Sequence, residues 1–124
     1  MNRDPELIRE ILLRVEELSI GQFLANIEID GYGSDVIGEH VRLLQEAGFI
    51  DAQLSKASSS MGVTIVAGYA INRLLNDGHD FIENAKNDTV WKKAREQVAE
   101  KTGDVSLGVL KAVLAKTAMQ ILGL

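Results

Sequence analysis

The sequence lacks cysteine altogether, has one proline and one tryptophan, and contains only two histidines among its 124 residues. Without cysteine, no disulfide, thiolate metal site or cysteine nucleophile can form, and the composition fits a reducing cytosol. The histidines, His40 and His79, do not belong to HExxH or a comparable ligand set. We therefore expect no metal, no cofactor, no small-molecule substrate and no enzymatic activity.

Uninterrupted apolar runs are also missing. The most apolar window, Val105 to Leu124, contains Lys111 and Lys116, which are costly in hydrocarbon. Charged residues begin at Arg3, where a signal peptide would need an apolar region. The sequence therefore predicts no membrane span and a cytoplasmic location, and its 46% hydrophobic and 25% charged residues suit one compact core.

Positive charge is scarce in the first half of the chain. The net charge is -5, and residues 24–54 hold six acidic residues against a single cation, Arg42. Proteins that bind DNA neutralise phosphates with Lys and Arg, so this segment lacks the expected electrostatic pattern.

Hydrophobic periodicity predicts the first elements. Asp4 followed by Pro5 is typical of a helix start, and the helix that follows buries a stripe from Leu7 to Leu18. The spacing changes to two from Phe23 to Ile29, which predicts a short strand with Phe23, Ala25, Ile27 and Ile29 facing inward. A helix is predicted over Ser34 to Ala47, ended by a glycine, Gly48, that can adopt positive φ.

A hairpin and further helices are predicted in the remainder. Alternation from Ile50 to Leu54 and a return arm from Val63 to Leu74 flank a polar tip, and Gly68 predicts a bend or bulge in the return arm. Three helices then follow. They begin near Asn76 or Asp77, after an Asn87-Asp88-Thr89 break, and near Ser106, with the second closing at Lys101 to Gly103.

This order indicates an α+β, mostly helical fold with a winged helix-turn-helix core, a β-hairpin wing and a C-terminal helical extension. The core is predicted over residues 1–86. The extension, residues 87–124, is predicted to pack on the core or to form an oligomer interface.

Five short patches carry a resemblance to a known family. They are Arg3-Asp4, the EAGFI ending at Ile50, the GHDF beginning at Gly78, the DTVW beginning at Asp88, and Gly123-Leu124. Together they resemble domain of unknown function 2513, over nearly the whole chain. The resemblance implies a small bacterial protein, of a kind frequently carried by phages and mobile elements, with a winged-helix-like N-terminal part; no activity is implied.

The chain departs from the family pattern at three positions. Gly38 and Glu39 stand where the family more often has a helix former and an aromatic residue, which weakens the helix as a reading face. Leu75 replaces a threonine expected to cap the helix that carries Gly78, which moves the predicted cap to Asn76 or Asp77.

Two functions remain open. In the first, the chain regulates transcription by docking helix 34–47 in the major groove of double-stranded DNA, with dimerisation through the terminal helix placing two such helices on half-sites. The outer side of that helix carries Ser34, Asp35, Gly38, Glu39, Arg42 and Gln45. The candidate DNA contacts are Ser34, Arg42, Gln45, Lys56, Arg73, Lys92 and Lys93. The simpler interpretation of the last two is a solvated helix face, paired with Glu96 and Glu100.

The alternative is a protein-interaction or self-assembly module that does not bind DNA. Here the terminal helix contacts a partner, a second copy or the chain's own core. The candidate interface residues are Leu110, Val113, Leu114 and Ile121. In both interpretations His40 is a structural histidine on the inner flank of its helix, and GHDF is a helix-start packing motif. Tyr32 is expected to cover the edge of the core, with a backbone phosphate contact as the alternative.

Overall fold

The computed structural model describes residues 2–99 and 106–123. Helices predominate in these ranges, and a two-stranded antiparallel sheet makes the chain a mixed α+β protein. In chain order the elements are α1 (Pro5–Glu16), α2 (Ser34–Glu46), β1 (Ile50–Ser58), β2 (Thr64–Leu74), α3 (Asn76–Ala85), α4 (Asp88–Ala99) and α5 (Leu107–Leu122). One cluster of buried side chains draws on all of them, so both predicted parts of the chain contribute to one core.

Helix α1 begins as predicted. The Asp4 side chain accepts hydrogen bonds from the backbone N–H groups of Glu6, at 3.0 Å, and Leu7, at 3.3 Å, and Pro5 occupies the first turn. The predicted apolar stripe is buried from Leu7 to Val15.

The connection between α1 and α2 contradicts the strand predicted over Phe23 to Ile29. Only Leu24 pairs there, with Ile71 of β2, through N···O distances of 2.9 and 2.8 Å. Asn26 has φ +56°, which breaks the extended backbone that a strand requires. Ile27 still faces inward, but Phe23 is 62% exposed. Leu24 and Ile27 therefore make separate contacts with the rest of the chain, and the segment is not a continuous strand.

The predicted hairpin is confirmed, with a longer first arm than expected. Strand β1 continues to Ser58, and the tip is correspondingly shorter. The pairing shifts where Ser55 faces Gly68 and Lys56 faces Val66, so one extra residue stands in the return arm beside the glycine, as predicted. Gly48, which joins α2 to the hairpin, has the predicted positive φ, +78°.

Helix α3 begins at Asn76, as predicted, but its cap differs from the prediction. Its N-cap is Leu75, which has no capping side chain, so neither Asn76 nor Asp77 caps the helix. The Leu75 N–H instead donates to the Phe49 carbonyl at 2.9 Å, which fixes the first turn against the end of α2 and the start of β1. Gly78 packs against that same carbonyl. The helix start is therefore set by close backbone packing.

The last two helices pack against each other, and α5 also packs on α3. The Asn87 side chain accepts from the Val90 N–H at 3.0 Å, which confirms the cap predicted in the Asn87-Asp88-Thr89 break. Ser106 accepts from the Val109 N–H at 3.1 Å and so caps the last helix at its predicted start. Ile121 was expected on the packed side of α5 but is 39% exposed. The predicted end of α4 at 101–103 lies outside the described residues.

Candidate interaction surfaces

The outer side of α2 is partly covered by the hairpin. A Cβ atom at Gly38 would lie 3.3 Å from Cβ of Val66, so Gly38 is buried against β2 and the prediction that it faces outward is wrong. Glu39, Arg42 and Gln45 are half-buried. Of the six residues assigned to this side, Ser34 and Asp35 are exposed, and neither carries positive charge.

Arg42, the leading candidate for a DNA contact, is held by two carboxylates of its own helix. Its Nε donates to Glu39 Oε1 at 2.9 Å, and its terminal nitrogens pair with Glu39 and Glu46. The hydrogen bond to Glu39 raises the pKa of Arg42, and the same bond lowers the pKa of Glu39. A phosphate that approached Arg42 would compete with two carboxylates that already neutralise its charge.

The other candidate cations lie along three separate grooves. Lys56 faces Glu39 and Arg42 in a groove of about 170 Å³ between α2 and the hairpin. Arg73 lies beside His79 in a second groove, of about 210 Å³, near the end of α1. Lys92 and Lys93 line a third with Asp88, Thr89, Glu96 and Ile121. Lys56, Arg73 and the pair Lys92 and Lys93 thus each line a different groove.

The observed ion pairs of α4 also differ from the predicted ones. Arg95 pairs with Glu6 of α1 at 3.3 Å, and neither Lys92 nor Lys93 pairs with Glu96 in the part of the chain that the structure describes. The predicted partner Glu100 lies outside the described residues.

A polar network joins the start of α1 to α2. Tyr32 Oη donates to Asp4 Oδ2 at 2.7 Å, and the Asp4 N–H donates to His40 Nε2 at 2.9 Å. Since Nε2 accepts, His40 Nδ1 carries the proton and donates to the Val36 carbonyl at 2.8 Å. His40, 1% exposed, is thus the predicted structural histidine, and Tyr32 is half-buried with its hydroxyl engaged inside the chain.

The network predicts a pH-dependent contribution from Tyr32. The hydrogen bond to Asp4, with help from burial, raises the pKa of the phenol from 10.0 to about 12. A raised folded-state pKa stabilises the protein fully below the unfolded value and is lost as pH rises through the folded value. We expect wild type to unfold at higher urea than Tyr32→Phe near neutral pH, with the gap closing between pH 10.0 and about 12. A gap that is constant across this range would contradict the assignment.

A second cluster surrounds Trp91, where the DTVW motif meets α1. Trp91 Nε1 donates to Glu6 Oε1 at 3.0 Å, and the guanidinium carbons of Arg9 and Arg95 lie 5.4 and 5.9 Å from its ring centroid. Arg9 also donates to the carbonyl of Ala85, at 2.7 Å, at the end of α3. This role of Arg9 could not be predicted from local sequence patterns, because its partners lie more than 70 residues away. This cluster stabilises the fold.

Helix α5 presents two apolar sides, and the predicted interface residues mostly lie on the inner one. Leu110 and Leu114 are 1% and 0% exposed, so they pack in the chain's own core and are not available to a partner. Val113 is half-buried. Leu110 and Leu114 therefore follow the alternative in which the terminal helix packs on the chain's own core, whereas Ile121 stays exposed.

The outer side of α5 is an apolar stripe that sequence reasoning missed. It consists of five exposed residues, Gly108, Ala112, Ala115, Met119 and Leu122. Their spacing of 4, 3, 4 and 3 residues keeps them on one side of the helix, as in the a and d positions of a coiled coil. Met119 and Leu122 are 59% and 47% exposed, and Val109 beside them is 55% exposed. The missed signal was that α5 is apolar nearly all round, which is typical of a helix covered on more than one side.

Among the residues that the structure describes, there is neither a candidate metal site nor a candidate membrane-spanning helix. No group of three or more His, Asp or Glu side chains is arranged to hold a metal ion there. None of the described helices has the length and apolar character needed to cross a membrane.

Comparison with known proteins gives a family. A family model described as "Hypothetical protein (DUF2513)" matches residues 2–104. The chain is 34% identical to an "Uncharacterized protein" of Haemophilus influenzae, over 98% of this chain and 99% of the relative. No solved structure matches the chain. The chain belongs to the DUF2513 family.

Proposed function

We propose that the chain is a self-assembly module with a winged-helix-like core, and that the outer stripe of α5 is its docking surface. The order α1, the Leu24 bridge, α2 and the hairpin is that of a winged helix in which residues 17–33 replace the first helix of the helix-turn-helix. The core thus serves as a scaffold that holds α5 in place.

The outer stripe carries this proposal. Its five residues are uncharged and exposed, and they run the length of a 16-residue helix whose opposite side is already packed. Complete burial of a Leu or Met side chain contributes about 1.5–3 kcal/mol, so association would stabilise the exposed Met119 and Leu122 most. A surface of this kind is typical of a helix that pairs with another helix.

The charges on α2 favour the same conclusion over DNA binding. Arg42 is the only cation of residues 24–54, and Glu39 and Glu46 already bind it. Major-groove docking would bring Asp35 and these carboxylates toward phosphates, which repel them.

Sedimentation velocity over a concentration series tests the proposal. We expect the full chain to associate reversibly, and Ala115→Glu to weaken the association at least ~100-fold, because the symmetric interface would bury a carboxylate from each copy. Gln120→Glu is the matched control, since it adds the same charge on an exposed position of α5 outside the stripe and should change little. A chain that stays monomeric, or one equally affected by both substitutions, would overturn the proposal.

Titration of a labelled DNA duplex at low and at moderate salt tests the alternative function. We expect no saturable binding at either salt concentration. Affinity that falls steeply with salt, with a smaller slope in Arg42→Ala or Lys92→Ala, would instead identify a DNA-binding protein.

A further inference from the structure

The outer stripe of α5 changes in side-chain size along its length. Its N-terminal half carries Gly108 and Ala112, its centre is Ala115, and its C-terminal half carries Met119 and Leu122. A Cβ atom added at Gly108 would meet nothing within 4 Å, so the small half of the stripe is open surface with room for a side chain from another molecule.

We infer that the stripe binds the same stripe of a second copy of this chain in antiparallel orientation, with Ala115 at the two-fold axis. This inference rests on the proposed self-association and adds the relative orientation of the two α5 helices. Gly108 and Leu122 each lie seven residues from Ala115, or roughly 10 Å along the helix at about 1.5 Å per residue. A two-fold axis at Ala115 therefore places Gly108 of one copy opposite Leu122 of the other.

The neighbouring positions follow the same rule. Ala112 and Met119 lie three and four residues from Ala115, so each Met119 comes within one residue, or roughly 1.5 Å along the helix axis, of Ala112 of the second copy. Large side chains then cover small ones at both ends, as close packing requires. In a parallel pair, Leu122 would meet Leu122 while Gly108 faced Gly108, which crowds one end and leaves a void at the other. The antiparallel helix dipoles add a small favourable term.

The size of the stripe limits the strength of the association. One helix pair of this length covers less than the roughly 800 Å² per partner of a standard interface. Only a surface that fills the stripe closely can compensate, and α5 of a second copy has side chains of the required sizes at the required positions. We therefore expect a dimer of moderate affinity, with Kd on the order of 1–100 μM.

Cysteine cross-linking tests the orientation, since the natural chain contains no cysteine. The single variants Ala115→Cys, Gly108→Cys, Leu122→Cys and the off-stripe control Gln120→Cys are oxidised at concentrations where the wild type is dimeric. We expect Ala115→Cys to cross-link with itself. Gly108→Cys and Leu122→Cys should each form little cross-linked dimer when oxidised alone. When the two variants are mixed, they should cross-link at least about tenfold more than the control, because paired thiols have a high effective concentration.

The cross-linking results distinguish a wrong helix orientation from a wrong interface. Efficient cross-linking of Leu122→Cys alone, together with Gly108→Cys alone, would overturn the antiparallel arrangement and leave the α5 interface in place. A dimer in which none of the stripe positions cross-links above the control would overturn both. A mixed product of Gly108→Cys and Leu122→Cys, formed with neither alone, supports the antiparallel pair.

Discussion

Replacing Gly78 with alanine is expected to lower the free energy of unfolding by about 3 kcal/mol or more, the upper range for overpacking. The added methyl group would overlap the Phe49 carbonyl oxygen and lie 3.0 Å from its carbon. That carbonyl also accepts the hydrogen bond from the Leu75 N–H, so it cannot move without loosening the start of α3. Urea denaturation followed by circular dichroism measures the change.

Gly108→Ala is the matched control for this substitution. Gly108 also lies in the first turn of a helix, but its added Cβ would have no neighbour within 4 Å. At concentrations where the chain is monomeric, we expect this variant to be about 0.5–1 kcal/mol more stable than wild type, because alanine favours helix over glycine. Equal destabilisation by the two substitutions would show that close packing at Gly78 is not the cause.

Replacing Arg9 with alanine is expected to cost about 2–3 kcal/mol. The guanidinium, 19% exposed, donates to the carbonyls of Ala85 at 2.7 Å and Lys86 at 3.4 Å, and stacks on Trp91. Hydrogen bonds from a charged donor contribute about 1.5–3 kcal/mol, and the cation–π contact about 0.5–1 kcal/mol. Thermal and urea unfolding of the variant give the cost directly.

The ion pair of Arg9 with Asp88 is expected to matter much less. Although the two atoms are 2.7 Å apart, the Asp88 side chain is 94% exposed, and exposed pairs contribute about 0–1 kcal/mol. Asp88→Ala is therefore the control that removes the ion pair and keeps the carbonyl contacts. If Asp88→Ala costs as much as Arg9→Ala, the ion pair is the dominant interaction and the assignment is incorrect.

These two sites explain what the GHDF and DTVW motifs do in this chain. Gly78 allows α3 to approach Phe49, and Phe81 packs its ring 5.5 Å from Phe49 and 6.2 Å from Trp91. Trp91 in turn joins α4 to α1 through Glu6 and Arg9. Gly78, Phe81 and Trp91 of these motifs are therefore core contacts between helices, consistent with the prediction of GHDF as a packing motif.

Local signals predicted the elements whose ends are set by short-range chemistry. Asp4, Asn87 and Ser106 cap the helices that follow them, and Gly48 ends α2 with positive φ. Each of these depends on a hydrogen bond or dihedral within a few residues, so the sequence alone contains the necessary information.

Features set by distant contacts could not be predicted in the same way. The segment with Phe23 alternates like a strand, but its pairing depends on the edge of β2, which it meets only at Leu24. The start of α3 depends on Phe49, 26 residues before Leu75. Gly38 looked exposed because its burial against Val66 arises from the way the hairpin folds over α2.

The outer stripe of α5 was missed for a different reason. The inner stripe, with Leu110 and Leu114, has the larger side chains and the same helical periodicity, so it dominates the hydrophobic pattern. Small residues such as Ala112 and Ala115 contribute little to a hydrophobic pattern. Their meaning became visible only when burial separated the two sides of the helix.

The most direct measurement is a concentration series of two-dimensional amide NMR spectra of the full chain. We expect shifts on dilution in the signals of the outer stripe, Gly108, Ala112, Ala115, Met119 and Leu122, while the signals of Ser34 to Glu46 stay constant. Constant α5 signals, or shifts centred on α2, would contradict the claim that the outer stripe of α5 is the surface through which the chain associates.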